Sequence, residues 1–172
     1  MKILDNVLEQ ARFNGFQHLM ISKDFPWYYR DWVDYVVTTD KFMFCHVFYY
    51  DGVPCSKYFK FIEPILELIK PISIFRIKAN LLTKTPNIVE NAFHVDMPDI
   101  SEEKQKQWTT SIFYMNTNNG YTKFEDGTIV ESVTNRLVTF PANLKHTGTS
   151  CTDKKTRIVI NFNYLDNGDG KV

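Results

Sequence analysis

The sequence predicts a mostly β protein with supporting α-helices, and three observations lead to this fold class. Aromatic residues make up 15% of the 172 residues, with 14 Phe and 9 Tyr, and such side chains favour packed β-structure. Apolar residues at helical spacing occur mainly in the first 71 residues, whereas later segments are short, strand-like and separated by turn residues. Early helices and many late strands predict a double-sheet or barrel-like β fold supported by helices.

The chain length favours a single domain, 1–172, because this many residues can bury a substantial core. Within it we expect a helix-rich N-terminal part, about 1–71, and a β core, about 72–165. No linker, repeat or low-complexity segment divides the sequence. Oligomeric state stays open between monomer and homodimer.

Charge and cysteine content restrict the function classes. Lys+Arg and Asp+Glu both number 20, so no net charge recruits nucleic acid or an anionic membrane, and nucleic acid is not an expected partner. Three cysteines without a CxxC spacing indicate free thiols in a reducing compartment. No signal peptide or membrane-length apolar run is found, so we expect a cytoplasmic protein, in the host cytoplasm if it is phage-encoded.

Two helices are predicted in the N-terminal part. Asn6 suits an N-cap, and Glu9 stands at the reciprocal third position after it, which predicts a helix over 7–21. A second helix is predicted within 58–70, and Pro71 ends it. Its apolar stripe consists of Ile62, Ile65, Leu66 and Ile69.

The same part also contains strand-like sequence. Residues 3–4 read as a short strand, and residues 42–50 form a longer one that ends at an Asp-Gly turn. His46 lies within this longer strand and, like His18, is interpreted as structural. The aromatic run at 24–30 is interpreted as a corner that packs on the core, with a substrate-facing wall as the alternative.

From residue 72 the pattern changes to period two. Arg76, Lys78 and Asn80 fall on one face of a predicted strand that alternates with apolar residues, so this face can line a wet pocket. A loop at 83–87 leads to a strand that carries His94. Further elements are a short helix or mobile loop at 101–107, strands at 109–116, 121–124, 129–130, 136–140 and 157–164, and a fraying tail at 166–172.

The chemistry-bearing residues form an ordered set. His94 and Asp96 are two apart on an extended chain, so their side chains share a face, and His146 and Arg157 follow downstream. Two imidazoles and one carboxylate make a facial triad that suits non-haem Fe(II), and the absence of thiolate ligands argues against structural zinc. The fork of Arg157 can bind a dicarboxylate in a bidentate way.

This order of residues resembles that of the Fe(II)- and 2-oxoglutarate-dependent oxygenases, specifically the prolyl-4-hydroxylase-like branch. The chain is most similar to the short, single-domain members encoded by bacteriophages. The segments that carry the resemblance are 94–96, 111–116, 120–122, 135–140, 146–148 and 157–162.

The resemblance implies a double-stranded β-helix, or jelly-roll, with the metal at one open end. It makes His94, Asp96 and His146 the catalytic iron ligands. It places Arg157 and Tyr114 on the C5 carboxylate of 2-oxoglutarate. Asn80 matches an asparagine that some branches place near the C1 carboxylate. A single Gly120 stands where the family often has two glycines, which alters the expected substrate-side loop.

The implied activity is that of a dioxygenase using Fe(II), 2-oxoglutarate and O2, which couples decarboxylation of 2-oxoglutarate to succinate with hydroxylation of a substrate. The substrate class stays open among a prolyl or other protein side chain, a nucleotide and a small molecule. Candidate substrate-facing segments are 83–91, 97–107 and 26–30. The alternatives are a cupin-like metalloenzyme that does not use 2-oxoglutarate and a non-catalytic phage jelly-roll binding module.

Overall fold

The computed structural model describes residues 1–33 and 41–166, and in these ranges it contains two antiparallel β-sheets with three α-helices. The helices are α1 (Gln10–Ile21), α2 (Glu63–Ile69) and α3 (Glu102–Gln105). The strands are β1 (Lys2–Leu4), β2 (Tyr28–Arg30), β3 (Met43–Tyr50), β4 (Val53–Pro54), β5 (Ser73–Thr83), β6 (Thr109–Tyr114), β7 (Tyr121–Phe124), β8 (Ile129–Glu131), β9 (Arg136–Pro141), β10 (His146–Gly148) and β11 (Thr156–Leu165).

The larger sheet has the strand order β1-β9-β6-β11-β5-β3-β2, and β4 pairs with β3 outside this path. The smaller sheet has the order β10-β7-β8. The first strand of the chain is thus an edge strand beside β9, and the last, β11, lies in the centre of the larger sheet. This mostly β arrangement with supporting helices confirms the predicted fold class.

One face of the larger sheet packs against the helices. The alternation along β11 sends Ile158, Ile160 and Phe162 to this face, where they are almost completely buried. Phe13 of α1 meets Phe113 of β6 edge-to-face, with ring centroids 6.0 Å apart. Burial of large apolar side chains of this kind stabilises a fold by about 1.5–3 kcal/mol each, so this layer is the main core.

The opposite face of the larger sheet meets the smaller sheet. A second buried cluster fills the space between them, and it consists of Ile112, Tyr114, Phe124, Val130, Val138, Phe140 and Val159. Along a strand of the larger sheet, the residues that alternate with those of the main core therefore point into this space between the sheets. The polar face predicted for β5 lies on this side, which positions the candidate site between the two sheets.

The first helix begins at Gln10, three residues later than predicted. Asn6 has a positive φ of 54° and is not the N-cap. Glu9 holds that position instead, and its carboxylate accepts hydrogen bonds from the backbone N–H groups of Ala11 and Arg12. The tertiary contact that displaces the start is at Asn135, whose side chain and backbone oxygens accept the backbone N–H groups of residues 8 and 7.

The predicted second helix is divided into a 3₁₀ turn at Phe59–Phe61 and then α2. Lys70 follows in the left-handed conformation, with φ 45°, and Pro71 prevents continuation. The Asp51-Gly52 turn is confirmed, since it joins β3 to β4 with positive φ at both residues. The helix expected within 101–107 is present as α3.

Several strand predictions were incomplete or wrong. The strand expected to carry His94 is absent: this residue makes one isolated antiparallel bridge, to His146. Sequence patterns did not reveal β2, β4 or β10, each of which has only two or three residues. In the aromatic run, Phe25 packs in the core as expected, whereas Tyr28 and Tyr29 are exposed. The predicted tail, apart from Asp166, lies outside the described residues.

No helix in the described ranges is long and apolar enough to cross a bilayer.

Candidate metal centre

Two histidines are brought together by a backbone contact between distant segments. The N–H of His94 donates to the carbonyl of His146 at 3.0 Å, and the N–H of His146 donates to the carbonyl of His94 at 3.0 Å. Residues paired in this way present their side chains on the same side, and the ring centroids are 5.0 Å apart. The bridge therefore creates a pair of imidazoles from positions 52 residues apart.

Asp96 completes the set. Ligand-type atoms of His94, Asp96 and His146 all lie within 4.8 Å of one another. Oδ1 of Asp96 is 3.9 Å from Nε2 of His94. The predicted triad residues are thus assembled at one place, with two nitrogen donors and one oxygen donor on one side of a common centre.

Hydrogen bonds to the backbone determine which ring nitrogen can bind a metal. Nδ1 of His94 lies 3.1 Å from the carbonyl of Ala92, and Nδ1 of His146 lies 3.1 Å from the carbonyl of Leu144. A carbonyl only accepts, so each Nδ1 carries the proton and Nε2 keeps its lone pair. Such a fixed tautomer is typical of metal-ligating histidines.

Asp96 is buried yet ionised. Burial alone raises the pKa of its carboxyl, but the positive charges of His146 and His94 when protonated, the guanidinium of Arg76 and a hydrogen bond from Asn163 outweigh this effect and lower the pKa below its usual value. Nδ2 of Asn163 donates to Oδ2 at 2.9 Å. Nη2 of Arg76 donates to the Asp96 backbone carbonyl at 3.1 Å. The carboxylate is therefore held in the charged form that a metal requires.

His146 is also in its ligand-competent form. Burial lowers the pKa of its imidazole, and the nearby Asp96 carboxylate only partly opposes this. A neutral imidazole at physiological pH is the form that binds divalent metals.

Arg157 is a buried cation in the same cavity, only 3% exposed. Its Nε donates to Oγ of Ser132 at 2.8 Å, and its Nη2 donates to Oγ1 of Thr122 at 3.2 Å. In the part of the chain that the structure describes, no carboxylate lies within ion-pair distance of it. Burial lowers the pKa of the guanidinium. An unpaired buried charge is costly, so this arrangement suits an anionic ligand.

Two glycines make room for the Arg157 side chain. A Cβ added at Gly120 would lie 2.7 Å from its Cδ and 2.6 Å from the backbone oxygen of Ser150. A Cβ added at Gly148 would lie 3.2 Å from Nη1. The single Gly120 of the predicted substrate-side loop therefore serves to seat the arginine.

Tyr114 reaches the same group from β6. It is fully buried, its hydroxyl donates to Oγ1 of Thr122 at 2.8 Å, and its ring centroid is 5.8 Å from Cζ of Arg157. Burial raises the pKa of the phenol. Because Thr122 accepts from both Tyr114 and Arg157, its own hydroxyl proton is left to donate to another group.

Asn80 lies on the cavity wall, opposite Val159 in the β5–β11 ladder. Its Oδ1 is buried and has no hydrogen-bond partner among the described residues, and the same is true of Oδ1 of Asn161. Unsatisfied buried polar atoms beside a cavity indicate a place for a polar ligand or water.

Sequence reasoning missed four residues that complete the site. Asn161 and Asn163 share a strand face with Arg157 by alternation, and this period-two signal could have revealed them. Thr122 and Ser132 come from the smaller sheet and its following loop, and nothing in the local sequence marks them as partners of the arginine. His46, by contrast, is structural as predicted, since its ring nitrogens contact the carbonyl of Pro26 and Oγ of Ser56.

No protein-family model and no curated protein sequence matches this chain. Several solved structures, by contrast, match its fold. An oxidoreductase of the 2OG-Fe(II) oxygenase family from Burkholderia pseudomallei aligns with a TM-score of 0.67 at 12% identity, covering 95% of this chain and 84% of that one. A prolyl hydroxylase from Trichoplax adhaerens, in complex with a hypoxia inducible factor peptide fragment, aligns with a TM-score of 0.65 at 14% identity, covering 96% and 83%.

This chain has the fold of the 2-oxoglutarate oxygenases. A third structure is the epimerase SnoN in complex with Fe³⁺, α-ketoglutarate and nogalamycin RO, with a TM-score of 0.66, 12% identity and coverage of 95% and 78%. These likenesses confirm the jelly-roll prediction. The resemblance to phage-encoded members stays a prediction.

Proposed function

We propose that the protein is an Fe(II)- and 2-oxoglutarate-dependent dioxygenase that hydroxylates a substrate. The observation that carries this proposal is Arg157, a buried guanidinium without a carboxylate partner among the described residues that lines the same cavity as the His94, Asp96 and His146 triad. A metal triad and an anion site in one cavity suit a ligand that has both a chelating end and a remote carboxylate.

The triad residues fit Fe(II). Two imidazole nitrogens and one carboxylate oxygen on one side of the centre are the donor set of non-haem iron oxygenases, and they leave adjacent positions open. Asn163 donates to the carboxylate of Asp96, and Arg76 donates to the backbone carbonyl of the same residue. Restraint of this kind strengthens metal binding.

The cosubstrate site fits a dicarboxylate. Arg157 would pair with the C5 carboxylate, and the hydroxyl of Thr122, positioned by Tyr114, would add a further hydrogen bond. Asn80 lies further along the wall in the direction of the triad, and its amide oxygen, which has no partner in ranges 1–33 and 41–166, suits a polar group of the cosubstrate. We assign Asn80 to the metal-proximal end of the cosubstrate, with the amide turned so that its nitrogen donates.

When bound, iron and 2-oxoglutarate supply the oxidising chemistry: O2 is reduced, the cosubstrate becomes succinate and CO2, and a substrate C–H bond becomes C–OH. The residues of the chain position these groups and exclude water. Val159 and Ile112 provide apolar wall beside the polar residues. Asn163 keeps the Asp96 oxygen oriented, and Gly148 leaves the arginine fork room to meet a carboxylate.

The substrate of the proposed reaction is a prolyl or other protein side chain, or a small molecule. The fold accommodates both classes, since one similar structure holds a peptide and another holds nogalamycin RO. We place the reaction in the cytoplasm, where the free thiols Cys45, Cys55 and Cys151 stay reduced.

A cupin-like metalloenzyme that does not use 2-oxoglutarate would also use the triad. It would leave the buried Arg157 without a carboxylate partner among the described residues, and that is the observation against it. A non-catalytic binding module would not require the fixed tautomers of His94 and His146, so these tautomers argue against that alternative.

Calorimetric titration of the purified protein with 2-oxoglutarate, in the presence of Mn(II) in place of Fe(II), tests the proposal. We expect saturable binding that Arg157→Gln weakens by about 10- to 100-fold, because a charge-assisted bond is lost. Arg12→Gln, an exposed site on α1, is the matched control and should bind normally. With Fe(II) and O2, succinate should appear at the rate of 2-oxoglutarate consumption. Absence of cosubstrate binding by the wild type would contradict the proposal.

A further inference from the structure

Lys78 lies on the cavity side of β5, between Arg76 and Asn80. Its cross-strand partners are Asn161 on β11 and Val47 on β3. It lines the cavity that contains the triad and Arg157. The proposed function above does not use this residue.

The ammonium of Lys78 has no hydrogen bond and no ion pair within residues 1–33 and 41–166, although the side chain is half-buried. Burial, together with the nearby positive charges of Arg76 and Arg30, lowers its pKa to about 8, against the attraction of Asp96 and Cys45. Arg76, its neighbour on the strand, is by contrast committed to Asp96. Lysines are rarely withdrawn from water without a partner, so this ammonium suits an anionic partner that residues 1–33 and 41–166 do not supply.

The charges that line the cavity leave Lys78 unbalanced. Besides the histidines, the charged lining residues in the described ranges are Lys78, Asp96 and Arg157. Asp96 pairs with Arg76, Arg157 would meet a carboxylate of the cosubstrate, and Fe(II) with 2-oxoglutarate adds no net charge. The positive charge of Lys78 then has no counterpart among the described residues. Arg30, at the edge of the same sheet, stacks on the ring of Trp32 at 4.4 Å and adds positive potential nearby.

Lys78 lies far along the strand from Arg157, the proposed anchor of the cosubstrate. Arg157 pairs with Leu82 in the β5–β11 ladder, four residues from Lys78, which corresponds to about 14 Å along the strand. A five-carbon dicarboxylate has the length of about two extended residues, or about 7 Å. A cosubstrate held at Arg157 and at the metal therefore leaves room for a second ligand near Lys78.

We propose that Lys78 binds an anionic group, a carboxylate or a phosphate, of the primary substrate, and so makes this enzyme selective for an acidic substrate. This inference rests on the proposed function. In the proposed reaction Lys78 is a specificity residue, because it contacts the substrate at a point away from the oxidised carbon. The positive charge of Arg30 adds to the electrostatic attraction of this anionic group.

Paramagnetic relaxation tests this with simple probes. The protein, saturated with Mn(II) and 2-oxoglutarate, is titrated with acetate and with its neutral isostere acetamide, and the proton relaxation of each probe is measured. We expect saturable enhancement for acetate at least tenfold stronger than for acetamide. In a parallel arm, phosphorus relaxation of inorganic phosphate shows whether a phosphate binds more tightly than a carboxylate.

Three variants make the test specific. Lys78→Met should abolish the acetate and phosphate effects, Lys78→Arg should retain them in part, and the control Lys60→Met, at an exposed lysine of the helical layer, should behave as wild type. All three should bind 2-oxoglutarate with unchanged affinity, which also shows that they fold.

The outcomes are distinct. Equal relaxation of acetate and acetamide, or persistence of the acetate effect in Lys78→Met, overturns the inference. A tenfold or greater loss of 2-oxoglutarate affinity in Lys78→Met also overturns it, since Lys78 would then hold the cosubstrate. Failure of the wild type to bind 2-oxoglutarate at all overturns the proposed function instead.

Discussion

His94 and His146 face each other across an antiparallel pair in which each backbone N–H donates to the carbonyl of the other at 3.0 Å. This reciprocal contact fixes the two imidazoles relative to each other before any metal binds. His46 provides an internal comparison: it is buried like His146, but both of its ring nitrogens have partners, and it lies in the aromatic core beside Phe25 and Phe48. His94 and His146 are assigned to metal binding, and His46 is assigned to stability.

His146→Gln should therefore abolish tight metal binding, whereas His46→Gln should leave it intact. Loss of a ligand should weaken Mn(II) or Fe(II) binding by more than the roughly 10- to 100-fold typical of supporting residues. His46→Gln removes hydrogen bonds to Pro26 and Ser56 and should lower the free energy of unfolding by about 1–3 kcal/mol. Calorimetry and urea unfolding measure the two effects. Equal metal affinity in wild type and His146→Gln would contradict the assignment.

The sequence reveals a site residue when the other site residues that it acts with lie close to it along the chain. Arg157, Asn161 and Asn163 lie on one strand, so alternation alone places them on one face. His94 is different, because its alignment comes from a single bridge to the three-residue strand β10, and no pattern that short can be recognised in a sequence. The start of α1 was misplaced for a similar reason, since the contact that determines it comes from Asn135.

Asn163 should matter more to the metal than Asn161 does. Both amides donate to Oδ2 of Asp96, but Asn163 does so at 2.9 Å and Asn161 at 3.4 Å. Asn163→Ala should weaken Mn(II) binding by about 10- to 100-fold, the range found for residues that orient a ligand. Asn161→Ala, the matched control, should have a smaller effect. The reverse order of the two affinities would contradict the geometry.

Gly148→Ala should weaken 2-oxoglutarate binding without weakening metal binding. A methyl group at this position would lie 3.2 Å from Nη1 of Arg157, and the guanidinium cannot shift freely because Ser132 and Thr122 hold its other nitrogens. We expect the dissociation constant for 2-oxoglutarate to rise by about tenfold, the effect of losing one hydrogen bond to a charged group.

The control for this substitution is Gly15→Ala, at a position in α1 where an added Cβ meets no atom within 4 Å. It should leave both affinities unchanged and should stabilise the protein by about 0.5–1 kcal/mol, because alanine is the better helix former. Metal and cosubstrate titrations of the two variants separate a steric effect at Arg157 from a general effect of adding a methyl group.

Lys78 should reduce the stability of the protein in the absence of ligands. Its pKa falls from 10.5 to about 8 on folding, and at about 1.4 kcal/mol per pKa unit the charged lysine destabilises the folded state by at most about 3 kcal/mol. Below pH 8 the lysine is protonated in both states and this cost is fully present. Between pH 8 and 10.5 the unfolded chain retains a proton that the folded chain has released, so stability rises with pH.

Lys78→Met should consequently be more stable than wild type at pH 7, as expected where a binding residue is maintained at the expense of stability. The difference between their free energies of unfolding, measured with urea, should shrink as pH rises from 8 to 10.5. Lys60→Met, at an exposed position, should show neither effect. A Lys78→Met variant that is no more stable than wild type at pH 7 would mean that this ammonium already has a satisfactory environment in the folded chain.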